Sequence, residues 1–188
     1  MAMQQNSREK IIQAAFTLFA DKGFARTSVQ DIASEAAISK GLIYHYYQSK
    51  EEILRGIFLH LKSEWDAAMD WERQLSPLQL LKGFLELSIA FIVQQPKTNR
   101  FLISLALQPE VIAGLEKDVA EMRDAWMEKL SAILKELHFA EPEIEVCLLL
   151  AMLDGMSIGY LTLGKEYPIL PMKKILFKRY GLSESDSA

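Results

Sequence analysis

The chain is poor in the side chains that build disulfides and metal sites. Its 188 residues contain one cysteine, Cys147, which excludes an internal disulfide and a zinc site made of several cysteines. Among its three histidines, His60 and His138 have no partner at metal-ligand spacing. We therefore predict no metal and no cofactor, and the single cysteine favours a reducing cytoplasm.

Long hydrophobic runs are also missing. The longest lies around residues 146–153, well short of the roughly 20 residues that span a bilayer, and Asp154 interrupts it. The first residues, MAMQQNSREK, lack the apolar core of a secretory signal. We expect a cytoplasmic protein with no membrane partner.

The sequence has no overall excess of positive charge, since its net charge is −4. Residues 1–60 hold seven Lys and Arg against six Asp and Glu, or +1, and the remainder holds fourteen against nineteen, or −5. Only the local field at a contact face matters for binding a polyanion. The composition therefore permits DNA binding without supporting it.

Nearly every segment has helical rather than strand periodicity, which predicts an all-α fold. The first helix has apolar residues at helical spacing and ends at Gly23. Capping residues predict three further helix starts. The apolar positions of the first helix are Ile11, Ala14, Ala15, Leu18 and Phe19. The second helix is capped by Thr27 with Gln30 or by Ser28 with Asp31, the third by Ser39, and the fourth by Ser49 with Glu52.

The rest of the chain predicts a helical body. The fourth helix extends to about Glu72 and joins a small head to this body. Ser76 and Pro77 open a helix that is apolar nearly all round as far as Val93, which is typical of a central, buried helix. Two long helices follow, around residues 115–137 and 144–163, before a short basic tail helix. We predict two domains, residues 1–50 and 51–188.

Residues 27–54 have the features of a helix-turn-helix. In this motif a first helix braces a second, whose N-terminal half faces base edges, while flanking groups contact phosphates. Internal packing is expected from Ile32, Ala33, Ile38 and Ile43. The second helix would present Lys40 and Gly41 at its start, with Tyr44 and His45 one turn later.

Residues from about Ser7 to Arg55 resemble the N-terminal domain of the TetR family of bacterial transcriptional regulators. The residues that carry the resemblance are Phe19, Gly23, Thr27, Ile32, Ala33, the run Ile38-Ser39-Lys40-Gly41, Tyr44, Tyr47, Lys50 and Glu51. The resemblance implies a three-helix DNA-binding domain followed by a helical ligand-binding and dimerisation domain. It also implies a homodimer with a four-helix interface.

Carried over by position, the resemblance assigns two sets of DNA contacts. Phosphates would be held by Thr27, Ser28, Tyr44 and Lys50. Residues at or near bases would be Gln30, Ser39, Lys40, Gly41, Leu42 and His45. Ala37 stands where relatives often have glycine, and a left-handed alanine is strained.

In the body, large apolar side chains are candidates for an effector pocket. With Arg100, which could hold a carboxylate, the candidates are Trp65, Met69, Phe84, Phe91, Phe101, Met122, Trp126, Met152 and Met156. Structural pairing is an open alternative for Arg100, for Glu86 and for Asp154. Ala151, Gly155 and Gly159 share a helix face, which indicates either an internal helix crossing or a dimer interface; the resemblance favours the dimer.

The function we predict is a ligand-responsive, dimeric transcriptional repressor. It would bind a palindromic double-stranded DNA operator and be released by a small, largely apolar effector. An enzyme is the first alternative, but the sequence has no P-loop, nucleophile elbow, HExxH motif or clustered Ser/His/Asp set, so we predict no enzymatic activity. A small-molecule carrier with a vestigial DNA-binding head is the second.

Overall fold

The computed structural model describes residues 2–69, 71 and 74–183, with side-chain surroundings from residue 7 onward. All regular structure in these ranges is helical, which confirms the all-α prediction. The elements are α1 (Ala2–Lys22), α2 (Val29–Glu35), α3 (Lys40–Tyr46), α4 (Lys50–Ala68), α5 (Pro77–Gln94), α6 (Pro96–Ala106), α7 (Pro109–Ile112), α8 (Glu116–Glu136), α9 (Pro142–Leu163) and α10 (Ile169–Arg179), with one 3-10 turn at Gly164–Glu166.

The chain forms two compact units. The first consists of residues 1–66 and 100–118, and the second consists of residues 67–99 and 119–188. The chain passes from one unit to the other inside α4, α6 and α8. The division into functional domains at residues 1–50 and 51–188 stays a proposal, because compactness does not show which segment carries which function.

The first unit is built around apolar faces of α1 to α4. All five predicted apolar positions of α1 are buried. Ile32 and Ala33 of α2, Ile43 of α3, and Ile53 of α4 are at most 1% exposed. Burying such side chains contributes about 1.5–3 kcal/mol for each large one, so this small core fixes α2 and α3 on α1 and α4.

A glycine that the sequence pattern did not single out allows α4 to approach this core closely. A Cβ on Gly56 would lie 2.8 Å from Cδ1 of Ile12 and 3.1 Å from Cε1 of Tyr47. Tyr47 is buried, and its hydroxyl accepts a hydrogen bond of 3.1 Å from Nε of Arg8. Gly56 therefore makes room for the Tyr47 ring.

Helix starts follow the predicted chemistry with two refinements. Ser28 and Asp31, rather than Thr27 and Gln30, form the capping box of α2. At α4 the Ser49 hydroxyl accepts from the N–H of Glu52 as predicted, but the Glu52 carboxylate accepts from the N–H of Gln48. The predicted end of this helix near Glu72 lies outside the described residues, and α4 ends at Ala68.

In the second unit α5 is the central helix, as predicted. Its buried apolar residues are Leu81, Phe84, Leu85, Ile89 and Ile92, and it packs against α9. Both α5 and the segment Pro142–Glu166 are long and apolar enough to cross a membrane by length and composition alone. Such helices also form the cores of soluble proteins, so this observation is weak evidence for a membrane.

The outer face of α9 is apolar and exposed. Ile144, Leu148 and Ile158 each expose about half of their surface. Cys147 lies on the same face and is exposed, although its position in an apolar run is typical of a buried small hydrophobe. The cause is that α9 buries only one side, through residues such as Val146 and Leu149.

Candidate nucleic-acid interface

The turn between α2 and α3 is formed with an alanine in a left-handed conformation. Ala37 has φ 54°. The N–H of Ile38 donates to the carbonyl of Ala33 at 3.0 Å, and the N–H of Ala37 donates to the carbonyl of Ser34 at 3.2 Å. These two bonds are a Schellman motif, in which the residue at Ala37 is usually glycine. The turn thus tolerates a strain of about 1–2 kcal/mol.

The start of α3 is fixed by Ser39. Its hydroxyl accepts a hydrogen bond of 3.2 Å from the N–H of Leu42. Ile43 turns inward and is fully buried, while Leu42 is partly buried. These two contacts set which side of α3 faces outward.

The outward side of α3 carries three of the predicted base-reading residues and Tyr44, which is predicted to contact a phosphate. Lys40, Gly41 and His45 are exposed, and Tyr44 exposes 48% of its surface. The Lys40 ammonium nitrogen lies 5.8 Å from the centre of the Tyr44 ring. The helix therefore presents a cation, an aromatic hydroxyl and an imidazole side by side, with donors and acceptors suited to base edges or phosphates.

Gly41 has no packing reason to be a glycine. A Cβ at this position would come no closer than 4.0 Å to the Ser39 hydroxyl. Within a helix, glycine costs about 1 kcal/mol relative to alanine. No close contact with the described residues offsets that cost. A glycine at such a position is expected where an external molecule approaches the helix closely.

Thr27, a predicted phosphate contact, is engaged in hydrogen bonds within the protein. Thr27 is 2% exposed, and its hydroxyl donates to the carbonyl of Gly23 at 3.0 Å. The Thr27 N–H donates to the carbonyl of Phe24. Because both donors are engaged, Thr27 has a structural role in the first unit, and its contact with a phosphate stays a prediction.

Ser28 is exposed but is engaged in the capping box. Its hydroxyl lies 2.7 Å from Oδ2 of Asp31, and its N–H donates to the same oxygen at 2.8 Å. These hydrogen bonds hold the pKa of the Asp31 carboxyl below its usual value. A phosphate at Ser28 would have to compete with this carboxylate. Gln30, next to it, is exposed.

Lys50 also has an internal role that the sequence did not indicate. Its ammonium group donates to the carbonyls of Phe24 at 2.8 Å and Thr27 at 3.0 Å. It also lies 4.2 Å from the centre of the Phe24 ring. Lys50 therefore holds the start of α4 against the loop between α1 and α2, and its contact with a phosphate stays a prediction.

The predicted pocket residues are divided between the two units. Trp65, Arg100 and Phe101 belong to the first unit, and the other seven belong to the second. Arg100 is exposed, and the Phe101 ring packs edge-on against Phe16 with centroids 5.4 Å apart. In the second unit the rings of Phe84 and Trp126 are 6.3 Å apart. Met69 and Met156 are buried, and Phe91, Met122 and Met152 are partly buried.

A groove of about 310 Å³ runs along α8 near the start of α9. It is lined by Met127, Glu128, Ser131, Ala132, Lys135 and Glu143. None of these residues was among the pocket candidates, because each looks like an ordinary surface position of an amphipathic helix. Among the described residues no group of three metal-ligating side chains occurs.

The three small residues on α9 do not share one role. Ala151 and Gly155 are exposed, and a Cβ on Gly155 would meet nothing within 4 Å. A Cβ on Gly159 would lie 2.2 Å from Cε2 of Tyr167, in the same unit. Gly159 is thus a glycine because the Tyr167 ring packs on it, and its place in a dimer interface stays a prediction. Asp154 lies on the exposed side, where partial burial raises the pKa of its carboxyl.

Comparison with known proteins agrees with this geometry. Residues 11–57 match the family described as bacterial regulatory proteins, tetR family. The HTH-type transcriptional repressor KstR2 of Mycobacterium tuberculosis is 30% identical over 159 residues, covering 78% of this chain and 76% of its own length.

Solved structures with the same fold extend over nearly the whole chain. A transcriptional regulator from a Rhodococcus species has a TM-score of 0.79 at 22% identity, covering 93% of this chain and 94% of its own. The regulator FadR of Bacillus subtilis, solved in complex with stearoyl-CoA, has a TM-score of 0.75 at 17% identity, covering 92% and 96%. At these identities the likeness concerns the fold.

Proposed function

Because this chain belongs to the TetR family of bacterial transcriptional regulators, we propose that it is a homodimeric repressor that reads a palindromic operator through α3. An effector bound in the second unit releases it from DNA. In this proposal Lys40, Gly41, Tyr44 and His45 lie in the major groove, and Gln30 and Ser39 lie beside it. The effector is small and largely apolar.

The observation that carries the proposal is the open surface at Gly41. A helical glycine with no neighbour at its Cβ position weakens α3 and gains nothing inside the protein. Close approach of a DNA base or sugar would account for it, since a side chain there would keep α3 out of the groove. The exposed Lys40 and Tyr44 on either side support the same orientation.

The proposed dimer forms through the outer face of α9. This face exposes Ile144, Leu148, Ala151, Gly155 and Ile158 along one stripe. An apolar stripe of this length is costly in water and is typical of a subunit interface. Gly155 lets a second helix approach closely. A two-fold dimer would place the two copies of α3 about 34–36 Å apart, on successive turns of the major groove.

Effector release is proposed to act through a difference in affinity between two conformations. An effector shifts the protein away from its DNA-binding form only if it binds the other form better. The helices α4, α6 and α8 each contribute residues to both units. A conformational change in any of these helices would therefore extend along the backbone into the unit that holds α3.

The test is a fluorescence-anisotropy titration of the full-length protein with the DNA upstream of its own gene. Gly41→Ala is expected to weaken binding by about tenfold or more while leaving thermal stability equal or higher. Gly83→Ala is the matched control, because a Cβ there also meets nothing within 4 Å but Gly83 lies in α5. If Gly41→Ala binds as tightly as this control, the proposed orientation of α3 is wrong.

A further inference from the structure

A lysine is buried in the central helix of the second unit without a hydrogen-bond acceptor. Lys82 in α5 is 5% exposed, and its ammonium nitrogen has no hydrogen-bond partner among the described residues. A buried charged group that lacks hydrogen bonds is strongly destabilising. A ligand that accepts hydrogen bonds from this ammonium group would offset that destabilisation.

The charges around Lys82 are incompletely paired. Oε1 of Glu86 lies 3.8 Å from the Lys82 nitrogen and 3.9 Å from the Lys173 nitrogen. Both distances exceed the 2.7–3.2 Å of a hydrogen bond. A lysine placed four residues before a glutamate is also the less favourable order for an ion pair on a helix. Two ammonium groups thus converge on one carboxylate; Lys173 is partly exposed and lies 4.8 Å from the centre of the Phe177 ring, whereas the buried Lys82 ammonium has no such alternative.

Glu86 is the accessible member of this set. Its side chain exposes 45%, against 6% for Lys82 and 28% for Lys173. Gly83 lies beside both Lys82 and Glu86 on the surface of α5, is partly exposed, and has nothing within 4 Å of its Cβ position. The exposed Glu86 side chain can swing outward, and this movement would free the space beside the Lys82 nitrogen next to the open surface of Gly83.

The residues around Lys82 indicate the chemistry of the ligand beyond the group that contacts the ammonium. Leu81 and Leu85 flank it in α5, and both are fully buried. Two lysines and one glutamate carry a net charge of +1, which one carboxylate would neutralise. An apolar body with a single anionic end therefore matches the charge of this cluster and the apolar character of its neighbours.

We propose that Lys82 anchors the carboxylate of an amphipathic effector, with Lys173 as the second cation. The ligand oxygen would replace that of Glu86 and accept short hydrogen bonds, of about 2.7–2.9 Å, from the Lys82 ammonium. This assignment rests on the proposed function, because it names the chemistry of the effector that the second unit binds. No bond is made or broken, and no proton moves.

Isothermal titration of the full-length dimer with decanoate tests the assignment, with decanol as the neutral probe of the same length. The wild type is expected to prefer decanoate by about tenfold or more. Lys82→Met keeps the apolar stem and is expected to abolish that preference. Lys165→Met, an exposed lysine of the same unit, is the matched control and should keep it. Equal preference in Lys82→Met and wild type would overturn the proposal.

A second variant separates a binding role from a structural ion pair, even if Lys82→Met fails to fold. Glu86→Gln removes the competing carboxylate at an accessible position, so decanoate should bind several-fold more tightly. A purely structural pair predicts unchanged or weaker binding, which would contradict the assignment. Because these titrations contain no DNA, their outcome is independent of whether the protein binds an operator, which the anisotropy titration decides separately.

Discussion

The guanidinium of Arg55 in α4 holds both carboxylate oxygens of Asp118, the third residue of α8. Nε of Arg55 lies 2.6 Å from Oδ2, and Nη2 lies 2.9 Å from Oδ1. A bidentate pair of this kind is stronger and more directional than a single contact. The Arg55 guanidinium lowers the pKa of the Asp118 carboxyl. The pair therefore ties α4 to the start of α8 within the first unit.

Asp118→Asn is expected to lower the free energy of unfolding by about 1 kcal/mol at neutral pH, since Arg55 is half exposed and solvent screens the pair. The folded pKa lies below the unfolded one, so the ionised carboxylate contributes stability above about pH 4, and this contribution is lost as pH falls further. Urea unfolding across this range should show the gap between variant and wild type narrowing in acid.

The control for this prediction is Asp124→Asn, which alters an exposed pair with Arg123 and should change stability by a few tenths of a kcal/mol. A gap for Asp118→Asn that stays constant down to the acid limit of folding would contradict the role given to Arg55.

Ala37→Gly should stabilise the protein by up to about 1 kcal/mol. Glycine relieves the left-handed alanine, and this gain outweighs the extra freedom that glycine has in the unfolded chain. Ala36→Gly is the matched control, because Ala36 has φ −75° and gains no relief; it should destabilise by about 0.5–1 kcal/mol. Thermal unfolding of the two variants measures the difference, and two equal destabilisations would show that the turn is unstrained.

Substitutions of Lys40 and Lys50 should have different effects, the first on DNA affinity and the second on the free energy of unfolding. Lys40→Met removes an exposed cation and should weaken operator binding without changing the melting temperature. Lys50→Met removes two hydrogen bonds to carbonyls of the loop between α1 and α2, and should lower the free energy of unfolding by about 1–3 kcal/mol. Anisotropy and thermal unfolding of both variants check this, and an unchanged melting temperature for Lys50→Met would contradict its internal role.

Leu148→Glu should convert the proposed dimer to a monomer. The side chain is half exposed in the single chain, so the fold does not need it, whereas a buried charge at a subunit interface is costly. Leu107→Glu is the control, because Leu107 is 77% exposed and belongs to the first unit, whereas α9 belongs to the second. Light scattering after size exclusion gives the masses; a dimer that persists in Leu148→Glu would place the interface elsewhere.

Features that depend on nearby residues were predictable from the sequence. The stripe of α1, the central position of α5 and the strain at Ala37 all follow from spacing or backbone preference within a few residues. The sequence does not distinguish Ser28 from Thr27 as the cap of α2, because both have suitable partners three residues later.

Features that depend on distant residues were missed or misassigned. The hydrogen bonds of Lys50 reach back 26 and 23 residues, and Gly56 is explained only by Ile12 and Tyr47. The spacing of Gly159 places it on a stripe of small residues, but it gives no sign of the Tyr167 ring that packs on it. Periodicity shows which side of a helix is apolar, but it does not show what packs there.

Operator binding by Tyr44→Ala tests most directly whether α3 reads DNA. Tyr44 is exposed on α3, so the substitution should leave the melting temperature unchanged. The wild-type dimer should protect two half-sites of the upstream palindrome, about 34–36 Å apart, and Tyr44→Ala should bind this DNA at least about tenfold more weakly. Equal binding by the folded variant, or wild-type binding that does not distinguish the palindrome from scrambled DNA, would contradict the account.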